Sequence, residues 1–134
     1  MTPLLLLLSV LTNQLYEAKT YTEAKQMYLV IEEIERIVRQ TQGELLTKLP
    51  EELLPIAYCE SRLIHDRNGK ITKSSTKDYG LLQINHTWIP HAKKLGYDIF
   101  EREGNIKFGK YLLEQNGLSD WRASKHCWRK LVQR

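Results

Sequence analysis

Ile56-Ala57-Tyr58-Cys59-Glu60-Ser61 is a short apolar run that ends on a carboxylate. Pro55 suits the first turn of a helix, where its missing N–H is no loss. A helix from about Pro55 to Leu63 sets Ile56, Cys59, Glu60 and Leu63 on one face, at the i, i+3, i+4, i+7 spacing. Glu60 then faces the packed side, near the C-terminal end, where the helix dipole disfavours a charged carboxylate. An acid sunk in such a face stays protonated near neutral pH. Further on comes Asp78-Tyr79-Gly80-Leu81-Leu82-Gln83-Ile84-Asn85, a segment rich in hydrogen-bonding and aromatic side chains.

Outward from these stretches the chain reads as helices. Residues about 14–41 form one amphipathic helix: Tyr21, Ala24, Tyr28, Ile31, Ile34, Ile37 and Val38 recur at three- and four-residue steps. Glu32, Glu33, Glu35, Arg36 and Arg39 fall largely between them, and Gly43 is a stop. Asn68-Gly69 is a turn signal that would close a small hairpin, with Lys70-Ile71-Thr72 as its second strand. Residues about 85–95 read as helix ending at Gly96, and Glu101 to Asn116 as another ending at Gly117. Ser119-Asp120 would cap a last helix carrying Trp121, Cys127 and Trp128. The expected fold is mainly α (α+β), with at most a small β-hairpin. Two segments are expected: 1–43, an N-terminal apolar run plus amphipathic helix, and 44–134, the main domain.

With 134 residues the chain has room for one hydrophobic core plus an extension. The net charge of +4 is a mild basic bias with no Lys/Arg block, so nucleic acid is not an expected partner. A positive field does favour approach to an anionic polymer. Leu4 to Leu8 with Ser9-Val10-Leu11 is too short to span a bilayer. It has the length of an export signal's apolar region, but no Lys or Arg precedes it, and Tyr16-Glu17-Ala18 is a poor cleavage site. The readings are an export segment, or a helix that packs on the domain or on a partner. Cys59 and Cys127 either bridge, implying an oxidising compartment, or remain buried thiols. His65, His86, His91 and His126 form no zinc signature, and no phosphate loop occurs. No metal or cofactor is expected.

The chemistry follows from residue types. Glycosidic cleavage needs a proton for the leaving oxygen, which a Glu of raised pKa supplies. Glu60 is the candidate. Asp78 is either a second carboxylate or a turn cap before Tyr79-Gly80. Gln83 and Asn85 suit sugar hydroxyl and acetamido groups, and Tyr79 and Tyr111 suit sugar faces. Asn85-His86-Thr87 also matches the glycosylation sequon, which conflicts with a groove role for Asn85.

Cys59-Glu60-Ser61, then Asp78 to Asn85, then Gly104-Asn105-Ile106 with Gly109-Lys110-Tyr111-Leu112, occur in this order. Over about residues 52–130 the chain resembles the soluble lytic transglycosylase family of the lysozyme-like superfamily. That resemblance implies a lysozyme-like helical domain with a small β-wing, and peptidoglycan glycan strands as substrate. It implies Glu60 as catalytic acid and base, cutting the β-1,4 bond between N-acetylmuramic acid and N-acetylglucosamine to leave a 1,6-anhydro sugar. Ser61 would orient the acid or the sugar. Asp78, Tyr79, Gly80, Gln83, Asn85, Asn105 and Tyr111 would line the groove. The family's late Ala-Tyr-Asn-x-Gly element is absent. Trp121-Arg122-Ala123-Ser124-Lys125-His126-Cys127-Trp128 stands there instead, similar to small members whose last Cys pairs with the Cys before the catalytic Glu. A Cys59–Cys127 bridge is therefore implied. The Asp78 to Asn85 segment is also similar to animal-type lysozymes, so a hydrolytic muramidase using Glu60 and Asp78 stands second. A non-catalytic glycan-binding module of an envelope or phage assembly stands third. The implied location is periplasmic, in the cell envelope, or extracellular, phage particles included. The N-terminal segment offers association with a membrane or envelope complex.

Overall fold

The N-terminal apolar run folds as a helix. A computed structural model of the chain describes residues 2–132; Met1, Gln133 and Arg134, the outermost residues of the two expected segments, lie outside the described residues. Helix α1 (Pro3–Glu17) is capped by Thr2, whose hydroxyl accepts the Leu5 N–H at 3.2 Å. The single helix expected over about 14–41 is two. The chain breaks after Glu17, and α2 (Tyr21–Gln40) restarts behind Thr20, which accepts the Glu23 N–H at 3.2 Å. Thr20-x-x-Glu23 is a capping signal, and the apolar periodicity runs straight across it. Helices α1 and α2 pack as a hairpin. Ala24, Tyr28, Ile31 and Ile34 are buried, whereas Ile37 is exposed. Glu32, expected on the polar face, is buried and accepts the Tyr28 hydroxyl at 3.0 Å.

The chain divides into two compact units, Met1–Lys48 and Leu49–Arg134. The boundary expected after residue 43 falls five residues on, since 48 follows 43 by that much. Glu44 stays with the first unit: its carboxylate meets Arg39 at 2.8 Å and its N–H donates to the Arg39 carbonyl at 3.0 Å.

The second unit opens with a 3-10 turn, Glu51–Leu53, leading into α3 (Leu54–Ser61) with Pro55 in its first turn. Leu54, Ile56, Ala57 and Tyr58 are all buried, so α3 is a central helix rather than a one-sided one. It ends earlier than the sequence suggests. Arg62 (φ 59°) and Leu63 (φ 63°) are left-handed and reverse the chain directly after Glu60-Ser61. Two left-handed L-residues cost roughly 1–2 kcal/mol each. Full burial of Leu63 offsets part of that.

Strands β1 (Asp66–Arg67) and β2 (Lys70–Ile71) pair antiparallel around Asn68-Gly69, both of positive φ, as the expected hairpin requires. A second ladder was not expected: β3 (Asp78–Tyr79) pairs antiparallel with β4 (Ile84–Asn85), Asp78 opposite Asn85 and Tyr79 opposite Ile84. A 3-10 turn, His86–Trp88, leads into α4 (Ile89–Lys94). Helix α5 (Arg102–Asn116) ends at Gly117 as expected. Ser119 and Asp120 do not cap the next element. The Ser119 hydroxyl donates to the Asn116 carbonyl at 3.0 Å, and the Asp120 carboxylate accepts the Asn116 amide at 2.9 Å. Both close α5, and residues Ser119–Ser124 form a 3-10 turn before α6 (Lys125–Val132).

Cys59 and Cys127 are bridged, with S–S 2.02 Å and Cα–Cα 6.0 Å, joining α3 to α6. The fold of the described residues is mainly α with a small β part. Among them no helix is long and apolar enough to cross a membrane.

Candidate active site

Glu60 is the penultimate residue of α3, half-buried, with its carboxyl raised from an ordinary 4.5 to about 7. Burial is the largest cause, because a carboxylate loses solvation there. The Ser124 hydroxyl, donating to Oε2 at 3.4 Å, pulls the other way, and the charge of Asp78 adds to the rise.

Asp78 lies at the start of β3 and is held in the opposite state. Its partial burial favours the neutral acid, but hydrogen bonds outweigh that and its pKa is lowered. Ser74 Oγ donates to Oδ2 at 2.6 Å, Thr76 Oγ1 donates to the same oxygen, and Asn85 Nδ2 donates to Oδ1 at 2.8 Å. His86 adds a favourable charge. Asn85 reaches Asp78 because residues directly opposite in a ladder share a face. Its own Oδ1 accepts from the Thr87 N–H at 3.1 Å and Thr87 hydroxyl at 2.7 Å, capping the 3-10 turn. Asn85 is thus a strut for Asp78.

The connection between β3 and β4 is pinned group by group. The Tyr79 carbonyl accepts Asn105 Nδ2 at 2.9 Å, and the Gly80 N–H donates to the Thr72 carbonyl at 2.7 Å. The Leu81 N–H donates to His65 Nδ1 at 3.1 Å, and its carbonyl accepts the Ser61 hydroxyl at 2.7 Å. The Leu82 N–H donates to Asn105 Oδ1 at 2.9 Å, and its carbonyl accepts the Trp121 indole at 2.9 Å. The Gly80 carbonyl accepts both the N–H and the side-chain amide of Gln83, at 3.1 and 3.0 Å. A buried turn needs this complete accounting. Gly80 is required there: its φ is +78°, and a Cβ would meet Asn105 Nδ2 at 2.5 Å and His65 Cε1 at 2.6 Å.

Two expected substrate contacts, Asn105 and Ser61, are buried, and Tyr79 is half-buried. Asn105 is fully buried, its Nδ2 also donating to the Ile99 carbonyl at 2.9 Å. Ser61 is buried, its hydroxyl directed to the Ala57 and Leu81 carbonyls rather than to Glu60. Tyr79 leaves the strand on the face opposite Asp78, by the two-residue alternation of a strand. Its ring meets Phe100 edge-on at 4.9 Å. Gln83 remains half-buried, its Nε2 on the Thr72 carbonyl at 3.2 Å, leaving Oε1 as the atom available to a ligand. Tyr111 is half-exposed, its hydroxyl 3.0 Å from His91 Nε2 and its ring packed on Phe108.

A cavity of about 60 Å³ lies between Asp78, Gln83, Asn85, Trp88 and Trp121. It has room for a water or two, not a sugar ring. A larger one, about 440 Å³, opens between α4 and residues 96–100, away from Glu60. Size alone does not locate chemistry, and the candidate site is Glu60, whose carboxyl is perturbed by burial and feels the charge of Asp78. Among the described residues no cluster of His, Cys, Asp and Glu could hold a metal.

Sequence reasoning missed His65, Ser124 and Trp121 as parts of this site. Ser74 and Thr76 carry a readable signal, hydroxyls four and two residues before an Asp. His65 and Ser124 carry none. Compared with known proteins, the chain matches no family model, no curated protein and no solved structure.

Proposed function

We propose that this chain is a peptidoglycan lytic transglycosylase with Glu60 as its acid and base. One observation carries the reading: a half-buried carboxyl shifted to about 7, beside a carboxylate held ionised. Pairs of carboxyls pushed apart in this way mark acid/base assignments in glycosidases. A group that must give a proton and then take one is best poised near the working pH. Glu60 protonates the bridging oxygen, and the bond from C1 of the muramic ring to that oxygen breaks. The sugar's own 2-acetamido group and the fixed charge of Asp78 stabilise the cationic centre. Glu60, now a carboxylate, takes the proton of the 6-hydroxyl as that oxygen closes on C1. No water and no second nucleophile enter. The glycan strand lies across the open face by Glu60, Asp78 and Gln83, since the adjoining cavity is too small for a sugar. The disulfide supports an oxidising location, the periplasm, cell envelope or exterior. In the same reading, the exposed Leu4, Leu5, Leu6 and Leu7 of α1 serve association with a membrane or envelope complex.

Hydrolysis by a lysozyme-type muramidase is the second reading, favoured by the three donors that keep Asp78 anionic. Mass spectrometry of muropeptides from digested peptidoglycan separates the two. Anhydro-muramic ends, absent with Glu60→Gln, support the transglycosylase. Reducing ends would replace it with the muramidase, and no products from the unaltered protein would count against both.

A further inference from the structure

We propose that Ser124 is a positioning residue for Glu60, a hydroxyl that turns its single proton toward the carboxylate when the acid has given its own away, and that the Cys59–Cys127 bridge holds it in reach. The inference rests on the reading of Glu60 as the acid. Ser124 Oγ lies 3.1 Å from the Trp121 carbonyl and 3.4 Å from Glu60 Oε2. A hydroxyl has one proton to donate, so the two acceptors compete. With Glu60 neutral, the nearer carbonyl is the better acceptor. With Glu60 ionised, the charge-assisted bond is the stronger one. Ser124 thus stabilises the carboxylate more than the acid, which helps only as the proton leaves.

The frame that sets these distances is rigid. Trp121 is buried, its indole on the Leu82 carbonyl, and its own carbonyl also takes the Trp128 indole at 3.0 Å. The bridge joins the residue before Glu60 to the first turn of α6, directly after Ser124. Donor and acceptor are therefore tied on both sides of one covalent link. Asp78 is the charge that acts on Glu60. The elements packed against α3 also carry Glu51, Glu52, Asp120 and Arg122, and α6 carries Lys125, His126, Arg129 and Lys130; these contribute nothing comparable.

The test is a carboxyl-carbon NMR titration of Glu60 in the oxidised full chain, its signal identified by loss in Glu60→Gln. Ser124→Ala is expected to raise the midpoint by about half a pH unit, as loss of one long charge-assisted bond would. Ser124→Thr keeps the hydroxyl and is expected to restore it. Replacing both cysteines by alanine is expected to move the midpoint the same way, with no further change on adding Ser124→Ala. On soluble glycan oligomers Ser124→Ala is expected to lower kcat roughly three- to tenfold with KM unchanged. An unmoved midpoint in Ser124→Ala, or an equal shift in Ser124→Thr, overturns the proposal. Should the cysteine variant not fold, the Ser124 variants decide it. Absence of cleavage by the unaltered protein sinks the functional reading and leaves the titration result standing.

Discussion

Glu60 keeps its proton at a pH where an ordinary glutamate has lost it, and that has consequences for stability as well as for chemistry. Its folded pKa, about 7, lies above the unfolded 4.5. Between those values the native state holds a proton that the unfolded chain has released. Its contribution is complete below the unfolded pKa and is lost as pH rises through the folded one. Glu60→Gln removes that penalty. Melting temperatures of the two proteins should coincide near pH 4. At pH 8 the variant should be the more stable, by about 1 kcal/mol once solvent screening of a half-exposed group is allowed for. On the proposed function, peptidoglycan cleavage should fade as pH passes about 7, the value at which Glu60 loses its proton. His65 has the other sign: burial, first, lowers its pKa, against its Phe100 contact. The unfolded chain takes the proton first as pH falls below 6.5, so stability should decline on acidification, and His65→Ala should blunt that decline. Glu60 is legible in sequence because it ends an apolar helix. His65 is not, since its partners, the Leu81 N–H and the Phe100 carbonyl, are main-chain groups far along the chain.

At the scale of elements, the turn between β3 and β4 decides where Asp78 stands. Its main-chain groups depend on Ser61, His65, Thr72, Asn105 and Trp121, each from a different part of the unit. Asn105→Leu removes the buried acceptor of the Leu82 N–H and the amide that donates to the Tyr79 and Ile99 carbonyls. A loss of about 3–5 kcal/mol in denaturant unfolding is expected. Gly80→Ala combines a left-handed backbone with a collision against Asn105 and His65, and should cost about 3 kcal/mol. An undiminished denaturant midpoint in either variant would falsify this account of the turn. The first hairpin is legible because Asn68-Gly69 is a local code for its turn. The second is not: Gly80-Leu81-Leu82-Gln83 is an apolar connection whose conformation is imposed by distant donors and acceptors.

For the molecule as a whole, the bridge is the longest-range covalent constraint, linking residues 68 apart. The chain-entropy model values such a loop at roughly 4 kcal/mol. Reduction should lower the melting temperature and activity together, and thiol titration before reduction should find both cysteines blocked. A melting temperature indifferent to reduction would remove the bridge from the account of stability. The division into Met1–Lys48 and Leu49–Arg134 also belongs to this scale. The Arg39–Glu44 pair, which no periodicity announces, keeps Glu44 with the first unit.

The helical class, the first hairpin, the stops at Gly96 and Gly117 and the half-buried placing of Glu60 are legible in the residues alone. Each of these is written in spacings within one turn or one helix face. A bridge between Cys59 and Cys127 was implied by the similarity of the segment around them to a known family, not by spacing. Tertiary structure alone decided which way Tyr79 faces, that Ser61 and Asn105 serve the main chain, and that Ser124 meets Glu60. Those outcomes depend on hydrogen bonds between residues remote in sequence, and a buried polar group takes whichever partner the packing brings to it.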